Sequence, residues 1–317
     1  MRLLLKIFAV ICLILIDNNF SYSQKKDVFV PKVRNYFGID YYRTTSSSYY
    51  EFDGTEYPTI IDSLDNLHKN EYSYNSLVNQ FNLSISQVLF STSNFSLFAK
   101  ADLPINFNSI ESKYQKLSEL PSGVDSDTVY DVEFAYESTN IPYLKFGIGA
   151  DYQYSNFYFG LGLNANISFL NEDITDVNKK QLFDRYYTNV SPYVSVIYKG
   201  AKSFLEFEGH YKAFLNSPIS DIFKLKVGVG ITTVESSVLG AYLEYNKSTT
   251  SIDNSVKFNP SAWQLQEEFF KFGTYFDVLI EDMFLPGISY DLTISGKNSL
   301  NVGIFRLYLK FLLDLNK

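Results

Sequence analysis

The segment from Tyr143 to Phe169 alternates apolar and polar side chains along two runs that are separated by a minimal turn. Because successive side chains of a β-strand point to opposite faces, this period of two predicts two strands. Ser155-Asn156 between them is typical of a hairpin turn. Each strand has about ten residues or more, whereas strands of globular sheets usually have five or six. This length suits a tilted strand that crosses a bilayer. The apolar face of the second run consists of Phe157, Phe159, Leu161, Leu163, Ala165, Ile167 and Phe169.

The first 23 residues have the features of a secretory signal peptide. Arg2 and Lys6 precede an apolar run that is too short to span a bilayer, and the small-residue pattern Ser21-Tyr22-Ser23 follows it. We therefore predict a signal peptide at 1–23, with cleavage after Ser23. The only cysteine, Cys12, lies inside the apolar run, so the predicted mature chain has no disulfide or thiol chemistry.

Composition narrows the class of protein further. The net charge is -8 for the whole chain and -9 for the predicted mature chain, which disfavours a nucleic-acid partner. Aromatic residues make up 17% of the sequence, an excess that fits the interfacial girdles of membrane barrels. The mean hydropathy of -0.09 is too polar for a helical membrane protein.

The strand pattern recurs along the rest of the chain, and long and tight connections alternate between the strands. We predict about twelve strands in an all-β, transmembrane antiparallel up-and-down β-barrel that occupies residues 24–317. Tight turns are predicted at Ser91–Asn94, Ser155-Asn156 and Gly200–Ser203. The segment Val129–Tyr136 is predicted to extend the next strand beyond the membrane. Long, outward loops are predicted at 44–75, 107–141 and 170–188.

Charged residues of the predicted strands fall on the polar face only. A lysine or arginine on the lipid face at mid-bilayer costs about 2–4 kcal/mol, so this segregation favours a barrel over a secreted β-sandwich, which also alternates. Closure would also remove the edges that such long apolar strands expose. The predicted lumen-lining residues, which are candidates for a pore, are Lys145, Asp151, Glu206, Glu208, His210, Lys212, Lys224, Lys226, Lys271, Asp277 and Arg306.

The pattern resembles the general class of Gram-negative outer-membrane β-barrel proteins over residues 33–317. The resemblance depends on the signal peptide, the alternating strands and the amphipathic last strand, Phe305–Phe311, and includes no family motif. The chain ends Leu315-Asn316-Lys317, whereas many members end in an aromatic residue. The resemblance implies location in the outer membrane and contact with its lipid.

Three functions are compatible with this pattern. The first, slightly favoured because the class is rich in pores, is a porin-like channel for small polar solutes. The second is a non-transporting structural or interaction barrel that presents its loops to a partner. The third is a membrane hydrolase, which is disfavoured because His210 has no serine two residues away on its own face.

No cofactor or metal site is predicted. The acidic residues of the predicted loops have no calcium-loop spacing and are interpreted as solvated charge. His68 is assigned to a loop and has no chemical pattern around it. The loop carboxylates considered were Asp125, Asp127, Asp131, Glu172, Asp173 and Asp176.

Overall fold

A computed structural model gives the fold of most of the chain. It describes residues 34–50, 54, 56–57, 59–65, 68–118, 130–169, 188–215, 220–234, 237–249, 267–281, 283–297 and 299–313. The predicted signal peptide at 1–23 lies outside these residues. In the described part of the chain, no helix is long and apolar enough to cross a membrane.

Fifteen strands form one antiparallel sheet, and twelve of them make a closed barrel. The barrel strands are β1 (Tyr36–Tyr50), β4 (His68–Ser91), β5 (Phe95–Ser118), β7 (Tyr143–Tyr154), β8 (Phe157–Ser168), β9 (Asn189–Lys199), β10 (Ser203–Phe214), β11 (Ile222–Val234), β12 (Ser237–Ser248), β13 (Glu268–Val278), β14 (Phe284–Lys297) and β15 (Ser299–Leu312). The remaining strands are β2 (Glu56–Tyr57), β3 (Thr59–Asp65) and β6 (Tyr130–Asn140). The predicted fold class and strand number are confirmed.

Closure of the barrel depends on β1, which pairs on both sides. Tyr36 is opposite Ser86 of β4 and opposite Leu312 of β15, and both ladders continue along most of the strand. Every other barrel strand pairs with its neighbours in chain order, which defines an up-and-down topology. Backbone donors and acceptors of the wall are therefore satisfied within the sheet, as a bilayer requires.

The two ends of the barrel differ. One end carries the tight connections at 92–94, 155–156 and 200–202, and strands β1 and β15 begin and end there. At the other end β1, β4 and β5 continue into segments that are predicted to be loops. The Tyr143–Phe169 hairpin and the turn at 155–156 are as predicted.

Two of the predicted long loops are wrong in large part. The segment 44–75 was assigned to a loop, but β1 continues to Tyr50 and β4 already begins at His68. In 107–141, β5 continues to Ser118 and pairs with β6. Beyond a membrane a strand needs no apolar face, so its polar sequence does not reveal it. The predicted strand extension at Val129–Tyr136 is confirmed by β6, and nearly all of 170–188 lies outside the described residues.

The outer face of the barrel wall is apolar, and the rest of the described chain covers little of it. Many outward side chains in mid-strand are between 37% and 63% exposed, as expected of residues that contact lipid. One part of this face, around Leu103, is packed more closely and buried. The most exposed mid-strand side chains include Ile148, Leu161, Val194, Val229 and Leu243.

Candidate functional site: the barrel lumen

All eleven residues predicted to line the lumen have half-buried or buried side chains on the inner face. Many of their chain neighbours, such as Phe207 beside Glu206 and Leu225 beside Lys224, are exposed on the outer face. The burial of these positions follows the alternation of the sequence. Their role as the lining of a conducting pore stays a prediction.

Oppositely charged side chains pair along β10, β11 and β12. Lys226 Nζ lies 3.1 Å from Glu206 Oε2, on the diagonal between the two strands. Lys224 Nζ lies 2.7 Å from Glu244 Oε2. Glu244 was not among the predicted lining residues, although its place in the alternation of β12 puts it on the same face. These pairs cancel most of the charge on this part of the wall.

His210 belongs to the same region of the wall. Its Nε2 lies 2.7 Å from Glu208 Oε1, and its ring stacks on Tyr193 with 5.4 Å between the ring centroids. In the described part of the chain, no serine hydroxyl bonds to this imidazole. The arrangement is that of a histidine in a charge and ring network.

A second set of ion pairs lies on the opposite side of the lumen. Arg306 donates a 2.7 Å hydrogen bond to Asp40 Oδ1, and Asn82 donates a 3.1 Å bond to Asp40 Oδ2. Lys145 lies 3.5 Å from Asp102. Asp40 and Asp102 extend the predicted site, and both occupy polar-face positions of their strands.

Arg34, just before β1, reaches across the inner face to β7. Its Nε donates a 2.8 Å hydrogen bond to Asp151, and its guanidinium lies 4.6 Å from the centroid of the Phe98 ring. Asp151 was predicted to line the lumen, and Arg34 was not. The pair narrows the lumen near the end with the tight turns.

Aromatic rings pack over glycines of neighbouring strands on the inner face. Tyr193 lies over Gly162, and Phe98 approaches Gly149 from the other side, so that the two side chains meet over a pair of glycines. On the other side of the barrel, Phe204 lies over Gly230 and Tyr275 over Gly240 in the same arrangement. The glycines noted as small residues in the sequence therefore accommodate rings that lie flat against a curved wall.

Two other tyrosines each lie across a glycine of the neighbouring strand and reach a carboxylate on the strand beyond it. The Tyr242 ring crosses Gly273 and its hydroxyl donates to Asp291. The Tyr308 ring crosses Gly287 and its hydroxyl donates to Asp277. Asp277 is thus held by a tyrosine rather than by a cation.

The inner face is not polar throughout. Ile197, Phe204 and Val238 form a buried cluster near the end with the tight turns, and Tyr158 and Tyr275 pack against it. This cluster fills part of the lumen cross-section at that end. The sequence did not predict this cluster. Each member lies near the end of its strand, where the alternation does not assign it to a face.

Each inward ion pair has at least one side chain that keeps contact with solvent. Their side chains are between 3% and 33% exposed, on a face that lipid does not reach. A dry lumen would impose a large desolvation cost on each of these charges, so their partial exposure favours contact with water inside the barrel.

Metal sites were not predicted from the sequence, and the described residues contain no group of three potential metal ligands. The acidic residues of the predicted loops lie outside the described residues, or, for Asp131, in a strand whose side chains are not described.

Together, the closed up-and-down sheet, the apolar outer face and the charged inner face define a transmembrane β-barrel of the outer-membrane type. No protein-family model matches the chain, and no curated protein matches its sequence.

Solved structures share this architecture. An outer-membrane channel from Pseudomonas putida F1 superposes with a TM-score of 0.57 at 12% identity, covering 92% of this chain and 100% of that one. The NanC porin gives 0.47 at 8% identity, with 88% and 100% covered. The CymD monoaromatic hydrocarbon channel gives 0.47 at 7% identity, with 91% of each chain covered. At these identities the similarity to the Pseudomonas channel shows the fold, and a fold alone does not determine a solute.

Proposed function

We propose that this barrel is a channel that passes small polar solutes and ions through a narrow, charged lumen. The observation that carries the proposal is the ring of inward ion pairs that remain partly exposed to solvent, such as Lys226 with Glu206 and Lys145 with Asp102. A solute in such a lumen exchanges water for contacts with charges of both signs. The shared fold with an outer-membrane channel is compatible with this role.

Charge pairing leads to a specific expectation about selectivity. Because most of the inward charges are compensated by a neighbour, the field along the axis is weak, and selectivity between cations and anions should be slight. Narrowing by the Arg34–Asp151 pair and by the apolar cluster at Phe204 would limit the size of solutes. We therefore expect a small conductance.

We also propose the topology that the sequence suggested. Residues 1–23 are removed on export, the chain inserts into the outer membrane in contact with its lipid, and the tight turns face the periplasm. The elongated strands β4 and β5 then extend outside the cell.

The proposal is tested by single-channel recording of the refolded barrel in a planar bilayer. We expect discrete, reproducible steps with little preference between K⁺ and Cl⁻. The Glu206→Gln variant leaves Lys226 without its partner, and a single charge about 10 Å from a permeating ion is worth about 0.4 kcal/mol in water, or about a twofold shift toward anions. The shift should decrease at high salt because of screening.

Lys226→Gln is the matched control, since it removes the other member of the same pair and should shift selectivity toward cations. Folding of each variant is verified by heat-dependent mobility in gel electrophoresis. Absence of current from folded protein would refute the channel and favour the alternative, a non-transporting barrel that binds a partner through its projecting strands.

A further inference from the structure

Lys100 is an inward cation that has no carboxylate partner in the described part of the chain. It extends from β5 into the lumen and is half-buried. Five other inward cations lie between 2.7 and 3.5 Å from a carboxylate oxygen: Arg34, Lys145, Lys224, Lys226 and Arg306. Lys100 therefore differs from them by an uncompensated charge, which an anion from solution can neutralise.

Nearby carboxylates are already engaged. Asp102, two residues along the same face of β5, pairs with Lys145 at 3.5 Å. Glu208 is held by His210 at 2.7 Å, and Asp151 accepts the hydrogen bond of Arg34. Each of these carboxylates therefore already has a partner other than Lys100.

Lys100 is surrounded by a glycine of the neighbouring strand, an aromatic ring and a buried hydrogen-bond acceptor. The lysine side chain lies across Gly147, with Cε 2.5 Å from the point where a Cβ on that glycine would lie. Asn164 Oδ1 is 2.7 Å from the same point, so the two groups converge over one glycine. The Lys100 Nζ also lies 6.0 Å from the centroid of the Tyr193 ring.

Asn164 supplies an independent indication of a ligand. Its side chain is only 8% exposed, and its Oδ1 has no hydrogen-bond partner among the described residues. A buried acceptor without a donor is costly, by roughly 1–3 kcal/mol, so such atoms usually have a partner in solution. The acceptor that has no donor thus lies beside the cation that has no carboxylate partner.

We propose that Lys100, Asn164 and Tyr193 form a binding site in the lumen for a small carboxylate that also carries a hydroxyl group. The carboxylate accepts a hydrogen bond from Lys100 Nζ. The hydroxyl donates to Asn164 Oδ1, and the carbon skeleton lies against the Tyr193 ring. The proposal rests on the proposed channel function in that it names a class of solute, but the binding itself can be measured without any current.

The test is calorimetric titration of the folded barrel in detergent micelles at constant ionic strength, with lactate and propionate as probes. Lactate has the hydroxyl and propionate lacks it. We expect lactate to bind and propionate to bind about fivefold more weakly, because the latter leaves Asn164 without a donor. Lys100→Gln should weaken lactate binding at least tenfold, since it removes a charge-assisted hydrogen bond.

Two further variants separate the site from a general effect of charge. Lys226→Gln removes the same charge from a compensated pair and should change lactate affinity less than twofold. Asn164→Leu should abolish the difference between lactate and propionate. Folding of each variant is verified by heat-dependent mobility.

The outcomes distinguish this proposal from the channel. Lactate binding that is unchanged in Lys100→Gln, or no lactate binding by folded wild-type protein, would overturn the site. Equal affinity for lactate, propionate and chloride would show that the protein recognises only the negative charge of the ligand, and would also overturn the assignment. A barrel that binds lactate but carries no current would retain the site and refute the channel.

Discussion

Gly162→Val is expected to destabilise the barrel by about 3 kcal/mol or more. A Cβ at this position would lie 2.6 Å from the carbonyl oxygen of Ile148 and 2.6 Å from a carbon of the Tyr193 ring. The backbone oxygen belongs to the neighbouring strand and cannot move without disturbing the ladder, and overpacking of this kind typically costs about 1–3 kcal/mol from side chains alone. The measurement is urea-dependent folding into lipid vesicles, followed by gel mobility.

Gly209→Val is the matched control. Gly209 points to the outer face, and a Cβ there would meet only a Val194 methyl carbon, at 3.8 Å. Valine has a higher strand propensity than glycine and would contact lipid, so the midpoint should be unchanged or higher. Equal losses in both variants would show that glycine is needed for strand curvature in general and not for the Tyr193 ring.

Asp40→Asn should cost about 3 kcal/mol of folding free energy. Asp40 is 2% exposed and accepts hydrogen bonds from Arg306 and Asn82. The substitution keeps the shape but leaves the Arg306 guanidinium inside the wall without its counter-charge, and breaking a buried pair in this way is strongly destabilising. The same urea titration measures the effect, with the barrel folded at neutral pH.

Lys247→Gln tests whether any lost ion pair would have the same effect. Lys247 lies 3.7 Å from Glu268, and its side chain is 52% exposed. Water already solvates this pair, so its loss should cost less than about 1 kcal/mol. A loss for Asp40→Asn no larger than that for Lys247→Gln would mean that the Asp40 network is solvated as freely as the rim of the barrel.

The apolar and polar faces of the strands could be predicted from the sequence because lipid imposes a strict rule on the outer face. Each outward position between Phe157 and Ile167 must be apolar or small, and each charge must point inward. Lys226 and Glu206 were placed on the same face for that reason. The register of β10 with β11 sets Lys226 opposite Glu208, and its side chain pairs with Glu206 on the diagonal at 3.1 Å.

Strand ends and contacts across the lumen could not be predicted in the same way. Beyond the membrane no rule forces alternation, so the polar extensions of β4 and β5 were taken for loops. Arg34 and Asp151 are separated by 117 residues, and their meeting depends on how the whole sheet curves. The same holds for Tyr308 and Asp277, which are brought together by a glycine on the strand between them.

The ladder between β1 and β15 joins residues from opposite ends of the sequence, such as Tyr36 and Leu312. All other barrel ladders join barrel strands that follow one another along the chain, so this one closes the longest segment and brings the largest loss of chain entropy. Pairings between distant residues generally form slowly. Until this ladder forms, both strands are open edges that can pair with another chain. The time that passes before β1 and β15 pair therefore determines how long the barrel can aggregate. It also determines how much the barrel depends on helper proteins during insertion.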